Sequence, residues 1–436
     1  MKFRDLRFPA GFLWGSAAAA HQTEGGNHNN WSEWEKIPGK IKDGTNADIA
    51  CDHYNRYEED FDLAQELGHQ VHRFSVEWSR IEPSPGKWDE QEIEHYRRVI
   101  KALIKRDIQP MITLHHFTNP VWFSEKGSWL NPDAADLFAP FCRRIADEFS
   151  DYGIIWNTIN EPMVVVTIGY LWGDFPPGLH DFGSAIKAAK HLLMAHGQAA
   201  SQIRDVYESK GLEQPKIAPV LSTSYIMPEN PNNSNDIELA EYIDNLYNHL
   251  WIKSAISGRI LEPMGEGDIY PTLENSVDFI GVNYYSRMVV SSERDFMAGE
   301  LGPKDPCRVR CQGLEWEFYP DGYYHQIMDY WKKYRKHIFL TENGIGTSDD
   351  RIRQRYIMSH LQKVHQAIQD GAKVDGYLVW SLTDNFEWAQ GFSSHFGIIE
   401  CDFETMKRTP RESAFMLREI IQENGLTKEA QEKYLD

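Results

Sequence analysis

Two short motifs stand out for what their side chains could do. Asn160-Glu161-Pro162 and Thr341-Glu342-Asn343-Gly344 each follow an apolar, strand-like run, and each offers one carboxyl group. Two carboxyls facing one another across a pocket suit cleavage of a glycosidic bond, one as proton donor and the other as nucleophile or base. Taken singly, either glutamate could instead open a helix, where the peptide dipole favours negative charge. Their company decides between these readings. Gln22, Glu24, Arg73, His115-His116, Asn283-Tyr284-Tyr285, Trp380 and Glu387-Trp388 also lie at or near the ends of strand-like runs. Amides, carboxylates and imidazoles grip hydroxyls in pairs, and an indole gives the flat platform that the apolar face of a sugar needs.

These residues are far apart in the chain, so the fold has to gather them. Eight runs read as strands: Phe12–Ala18, Val71–Val76, Ile108–Leu114, Ile154–Ile159, Lys216–Ser222, Val277–Val282, Ile338–Thr341 and Gly376–Ser381. They are mostly apolar rather than alternating, as expected of parallel strands covered on both faces. Amphipathic helices separate several of them. Ile93, Tyr96, Ile100 and Leu103 form one stripe over 89–106, with Asp89 as cap and Glu92 completing a capping box. Tyr356, Leu361, Val364 and Ile368 form another over 351–370, which Gly371 ends. Asn131-Pro132 predicts a helix start, and Pro140 inside that helix predicts a kink or a break.

The alternation predicts an α/β protein, a (β/α)8 TIM barrel forming a single domain over residues 1–436. A bare barrel takes ~250 residues, so the βα loops should be elaborated. A doubly wound open sheet would show a glycine-rich phosphate turn after its first strand, and none is present. In a barrel, reacting groups project from the carboxyl ends of the strands, where the two motifs fall.

Composition narrows the partners. The net charge of −20 sets up a field that repels phosphate backbones and anionic lipid, which argues against nucleic acid and membrane surfaces. Cys51, Cys142, Cys307, Cys311 and Cys401 are too few for a disulfide scaffold, and Cys307 with Cys311 lacks the paired ligands of a zinc site. Reduced thiols in a cytoplasmic enzyme are the expectation. Lys2, Arg4 and Arg7 before Phe8–Ala20 mimic a signal peptide, but Asp5, Pro9, Gly11 and Gly15 interrupt the pattern. No apolar run approaches the ~18 residues of a membrane span. His115 and His116 diverge on a strand, and His360 and His365 miss the i, i+4 spacing of paired ligands, so neither metal nor cofactor is expected. Oligomeric state leaves no signal of its own, and an oligomer is compatible with the pattern.

Taken in order, the motifs resemble those of glycoside hydrolase family 1, the β-glucosidase and β-galactosidase family of retaining enzymes. The resemblance runs from Phe12-Leu13-Trp14-Gly15, Gln22-Thr23-Glu24-Gly25, Asp52-His53-Tyr54 and Arg73-Phe74-Ser75 through Thr113-Leu114-His115-His116 and Asn160-Glu161-Pro162. It continues through Asn283-Tyr284-Tyr285 and Thr341-Glu342-Asn343-Gly344 to Trp380-Ser381-Leu382 and Asp384-Asn385-Phe386-Glu387-Trp388. It implies a retaining, exo-acting β-glycosidase for small β-glycosides or short β-linked oligosaccharides. The reaction would be double displacement through a covalent glycosyl-enzyme. Glu161 would be the general acid/base and Glu342 the nucleophile, with their carboxyl groups ~5–5.5 Å apart. Asn160 would bind the sugar 2-hydroxyl; Arg73 and Tyr285 would keep Glu342 ionised, and Asn283 would support that corner. Gln22, His116, Glu387 and Trp388 would hold the other hydroxyls over a floor formed by Trp380. Trp316 would stack on the leaving group.

The sequence departs from the commoner family pattern at Phe117-Thr118-Asn119, where Trp-Asp-Leu is frequent, and at His395, where arginine is common. Both bear on acceptor preference. Glu387-Trp388 stands where the phospho-β-glycosidase branch carries Ser, Lys and Tyr, and a carboxylate there would repel phosphate. An unphosphorylated donor follows, with glucose, galactose and fucose all compatible. The same residues would also serve a transglycosidase whose sugar or alcohol acceptor outcompetes water. A catalytically silent sugar-binding protein would keep the platforms and polar grips but has no need of both carboxyls. A metal-dependent barrel hydrolase would need the clustered ligands that the histidine spacing does not provide. Residues Ser286 to Gly313 lack periodicity and are expected to frame the acceptor side.

Overall fold

The computed structural model describes residues 3–302, 311, 314 and 316–435. Cys307, Glu315 and the later part of the Ser286–Gly313 stretch lie outside the described residues. Eight strands close into a barrel in chain order: β1 (Leu13–Ala17), β2 (Val71–Ser75), β3 (Gln109–His115), β4 (Ile155–Asn160), β5 (Ile217–Pro228), β6 (Phe279–Val290), β7 (His337–Asn343) and β8 (Val374–Trp380). Every neighbouring pair is parallel, and closure comes from β8 against β1, with Trp380 level with Ala17. Each strand overlaps the run predicted for it. The longer helices between strands include α1 (His53–Glu66), α2 (Glu90–Lys105), α3 (Ala134–Phe149), α4 (Phe182–Ser209), α5 (Ser234–Asp244), α6 (Trp251–Ser257), α7 (Pro320–Tyr334) and α8 (Asp350–Gln369), with α9 (Glu412–Glu423) after β8.

Local chemistry accounts for most of the boundaries. The Asp89 carboxylate caps α2 by accepting from the Gln91 and Glu92 amides at 2.9 and 3.2 Å. The Glu92 carboxylate does not complete a box; it accepts the Tyr54 hydroxyl at 3.1 Å. α3 begins two residues later than Asn131-Pro132 suggests, because the Asn131 carboxamide first accepts the Asp133 amide in a tight turn. α3 also runs through Pro140 without a break. Pro140 lies on the exposed face, where water can serve the carbonyl that proline leaves without its helical donor.

Two departures shape the rim. β5 and β6 run well past their predicted ends at Ser222 and Val282, pairing from Thr223 with Tyr284 out to Pro228 with Val290. The barrel portions are apolar, whereas the extension carries Tyr, Ser, Thr and Arg on a ribbon that stands above the barrel. Residues Val165–Leu171 and Asn245–Leu250 form wide π-helical turns. Such turns carry no composition signal, and they recur beside functional sites. Gly344 is required by close approach: a Cβ there would meet the Trp380 carbonyl oxygen at 1.9 Å, so only glycine lets the chain leave β7 against β8. Among the described residues, no helix is long and apolar enough to cross a membrane.

Candidate active site

Glu161 directly follows β4 with φ = 46°, in the left-handed region that a side chain seldom occupies. Its amide donates to the Val220 carbonyl on β5 at 2.7 Å, which anchors the turn. Glu161 caps no helix with its side chain, so a dipole role does not explain it. Backbone held this way costs on the order of 1–3 kcal/mol and concentrates at functional positions. Glu342 lies in β7, where the register shifts against both β6 and β8. A bulge of this kind re-aims a side chain.

Buried Arg73, from β2, organises the floor. Its guanidinium donates to Glu342 Oε1 at 2.5 Å, Asn160 Oδ1 at 2.6 Å, Thr113 Oγ1 at 3.0 Å and Asn157 Oδ1 at 3.1 Å. The Tyr285 hydroxyl donates to Glu342 Oε2 at 2.6 Å. Asn283 Nδ2 donates to Glu161 Oε1 at 2.9 Å and Asn160 Oδ1 at 3.3 Å, and its own Oδ1 accepts the Thr341 hydroxyl at 2.7 Å. Asn283 also hydrogen-bonds to Glu342, so one amide ties the two carboxyls together.

Burial and mutual repulsion then separate the two groups. Glu161 is pushed up to about 8, first by burial and next by the negative charge of Glu342, while Asn283, Arg73 and Ser222 pull it down. Burial also raises Glu342, but Arg73 and Tyr285 oppose it directly. Glu342 therefore ionises first and Glu161 keeps its proton. Tyr285 is held well above the ordinary phenol range by burial and the neighbouring carboxylates, so its hydroxyl remains a donor.

A second wall is built from the predicted hydroxyl-binding residues. Gln22 Nε2 donates to the Phe386 carbonyl at 2.9 Å, Asn385 Oδ1 at 3.1 Å and Glu387 Oε2 at 3.3 Å. His116 Nε2 accepts from Asn160 Nδ2 at 3.1 Å, which assigns the ring proton to Nδ1. Burial and nearby Arg73 hold that imidazole neutral. Its ring lies 6.0 Å from Trp380 and 6.1 Å from Trp388, close to parallel with both. Gln22 Oε1 and His116 Nδ1 are buried without a hydrogen-bond partner among the described residues. Each such atom costs about 1–3 kcal/mol, which is tolerable where a polar ligand supplies the partner. Glu387 is pushed up to about 8, by burial first and Glu342 second, against hydrogen bonds from Trp380 and Gln22.

At the mouth, Trp316 packs on Tyr285 with ring centroids 4.9 Å apart. The next residue, Glu317, pairs with Arg287 at 2.8 Å, and its amide donates to the Ser286 hydroxyl, which fastens this strap to the β6 ribbon. Phe117 lies 5.0 Å from Trp388 and keeps the aromatic wall, and His395 approaches Asp384 at 3.6 Å. All twelve predicted site residues thus converge on one end of the barrel. Glu24 does not join them: it takes Arg80 at 3.0 Å and the Tyr96 hydroxyl at 2.7 Å outside the barrel. His115 turns towards Asn119 and Trp129. Asn157 and Ser222 belong to the site without having been picked out by any sequence motif, and Thr113 belongs to it from within a motif that assigned it no role. A polar residue inside an apolar strand is the available signal for Thr113 and Asn157.

A buried carboxyl pair in unequal protonation states at the carboxyl end of a parallel barrel is the equipment of a glycoside hydrolase. The description "Glycosyl hydrolase family 1" matches residues 4–426, and the chain belongs to that family. It is 34% identical to a 1,4-beta-D-glucan glucohydrolase of Thermotoga neapolitana, over 97% of this chain and 99% of that one. Against a beta-galactosidase of Pyrococcus woesei it is 32% identical, over 98% and 99%. The beta-glucosidase from Thermotoga maritima solved in complex with deoxynojirimycin superposes with a TM-score of 0.89 at 32% identity, covering 97% of this chain and 100% of that one.

Proposed function

We propose that the protein is an exo-acting β-D-glucosidase that also accepts β-galactosides and β-fucosides, with the whole chain serving as one catalytic domain. The observation that carries the residue roles is the division of protonation between Glu161 and Glu342, with Arg73 and Tyr285 placed on Glu342 alone. Glu342 attacks the anomeric carbon while Glu161 gives its proton to the departing oxygen, and the sugar is left as an ester of Glu342. Esterification removes the negative charge beside Glu161, whose pKa falls, so it now accepts a proton from water. The hydroxide attacks the anomeric carbon, and the Glu342 carboxylate is released with the β-configured sugar. Asn160 holds the 2-hydroxyl. Gln22, His116, Glu387 and Trp388 hold the remaining ones above Trp380, and Trp316 receives the aglycone.

The unphosphorylated donor is favoured by Glu387 and Trp388, a carboxyl and an indole that offer a phosphate no positive charge. Free thiols at Cys51, Cys142 and Cys401 support a cytoplasmic setting, and the net charge of −20 disfavours nucleic acid and anionic membrane partners. The test is a rate panel on aryl β-glycosides for wild type and Glu342→Ala, the latter with and without azide. The expected result is cleavage of β-glucoside by wild type, loss in the variant, and azide-dependent formation of α-glycosyl azide. Absence of wild-type cleavage on every unphosphorylated β-glycoside would overturn the reading. An inverted first product would instead replace the double displacement, because inversion requires carboxyls ~6.5–9.5 Å apart rather than ~5–5.5 Å.

A further inference from the structure

Outside the carboxyl pocket lies a second cavity, of about 880 Å³. Its walls come from the π-helical turn after Glu161, the start of α4, α5 and the second π-helical turn, with residues 292–297 along the rim. The lining is aliphatic and aromatic, as Val166, Ile186 and Leu246 illustrate. Its mouth exposes apolar side chains that water does not favour: Phe182, Tyr242 and Met297 are 40%, 55% and 42% accessible. A concave apolar space of ~300–1,000 Å³ is the size that receives a small molecule. Exposed apolar surface gathered around such a space marks binding rather than chance.

Charge selects the occupant. Among the described residues the cation at the rim is Arg294, which already pairs with Glu229 at 3.2 Å, while Glu238 also lines the opening. With a net charge of −20, the chain disfavours an anion here. An uncharged molecule with an alkyl or aryl body fits.

The cavity shares a wall with the chemistry. The Tyr247 side chain lines it, and the Tyr247 hydroxyl donates to Ser222 Oγ at 3.2 Å. The Ser222 hydroxyl in turn hydrogen-bonds to Glu161. Met163, two residues beyond Glu161, lines the same cavity. A molecule pressed against Tyr247 is therefore two hydrogen bonds from the carboxyl that holds its proton. We propose that this cavity is a second binding site for an uncharged alkyl or aryl small molecule, and that its occupancy tunes Glu161 through Tyr247 and Ser222. The tuning rests on the proton-donor role of Glu161 proposed above; the binding does not.

N-phenyl-1-naphthylamine, a neutral apolar fluorophore, is the probe. The expected result is a saturable rise in its fluorescence that persists when turnover is fully inhibited by deoxynojirimycin. Leu239→Trp, which fills the cavity, should weaken the probe at least tenfold while probe-free cleavage of an aryl β-glucoside is kept. Tyr242→Ala, at the exposed mouth, should weaken it with no demand on the core. Displacement by deoxynojirimycin, indifference to both substitutions, or self-association that blocks the probe as protein concentration rises would each overturn the site. For the coupling, saturating probe should move the alkaline limb of kcat/KM in wild type but not in Tyr247→Phe, where the probe still binds. Binding with an unmoved limb in wild type would overturn the coupling. A wrong role for Glu161 would show separately, as a Glu161→Gln variant whose alkaline limb is unchanged.

Discussion

Two buried arginine–glutamate pairs lie near the strand ends of this barrel, and only one has the makings of a reaction. Arg73 holds Glu342 at 2.5 Å inside the barrel, and Arg80 holds Glu24 at 3.0 Å outside it. Each glutamate also accepts a tyrosine hydroxyl, from Tyr285 at 2.6 Å and from Tyr96 at 2.7 Å. Burial is the leading influence on both, and it raises both. By the usual indicators of a perturbed site the two are twins. A second carboxyl is not the difference, since Glu77 also helps to raise Glu24; the pocket between the two carboxyls is. Glu342 charges the pocket in which Glu161 must ionise, so the pair divides into an acid and a base. Glu24 is enclosed by Arg80, Tyr96 and the wall of α2, where no substrate has access. A shifted carboxylate is thus informative only with a partner to divide protons with and a space between them.

The comparison breaks most sharply under Glu→Gln substitution. Glu342→Gln should lower kcat on an aryl β-glucoside by at least about 10⁴-fold, the scale seen when a covalent nucleophile is removed, and should also lower the urea midpoint, because buried Arg73 loses its counter-charge. Glu24→Gln should share only the second effect. It removes the nearer counter-charge of the largely buried Arg80 guanidinium and leaves Glu92 at 3.8 Å, at a cost of up to about 3 kcal/mol in unfolding free energy, while activity per folded molecule is retained. Loss of catalysis in Glu24→Gln with unchanged stability would dissolve the distinction.

The arginines sharpen it next. Lysine cannot reproduce a fork that reaches Glu342, Asn160, Thr113 and Asn157 together, so Arg73→Lys should lower kcat by about 10²–10³-fold. Arg80→Lys should leave kcat within about twofold, since its partners orient nothing that reacts. Steady-state kinetics on both variants, with circular dichroism as a check on folding, decides the matter.

Protonation gives a third contrast. Glu161 must carry its proton to act as acid, and its pKa is raised to about 8, so the active form persists through neutrality. kcat/KM should fall about tenfold per unit as pH rises beyond about 8. Glu342→Gln deletes the charge that helps to raise Glu161, so the Glu161 resonance in a ¹³C-carboxyl titration should move to lower pH in that variant. Glu24→Gln should leave it in place. A Glu161 titration unaffected by Glu342→Gln would mean that burial alone sets the acid.

How much of the fold and the site is legible in the sequence follows the range of each interaction. The eight strands are continuous apolar runs, a local signal that locates every one of them. The two carboxyls can be located because a barrel sends strand ends to one place, which turns distant motifs into neighbours. Glu24 misleads because Gln22-Thr23-Glu24 has the right composition, while the facing of a short helical turn is decided by Arg80 and Tyr96 elsewhere in the chain. Thr113 and Asn157 are readable as polar residues within apolar strands. The Tyr247–Ser222–Glu161 chain is not, since it joins a π-helical turn to two strands and depends on a distortion that composition does not encode. The ribbon beyond Ser222 and Val282 escapes for a related reason: outside the barrel its residues no longer need to be apolar, so the apolar run stops before the strand does.

The smallest effect tests the edge of the contrast, where the site passes into solvent. Trp316 touches Tyr285 from the open side, and its strap is fixed through Glu317 to Arg287 and Ser286 rather than to either carboxyl. Trp316→Ala should therefore raise KM for aryl β-glucosides severalfold, about 1 kcal/mol of lost stacking, with kcat changed by less than about threefold. The penalty should shrink for a methyl β-glucoside, which offers no ring to stack. Equal losses on both substrates would mean that the indole acts through Tyr285 on Glu342, and the boundary between positioning and binding would then run through Trp316 itself.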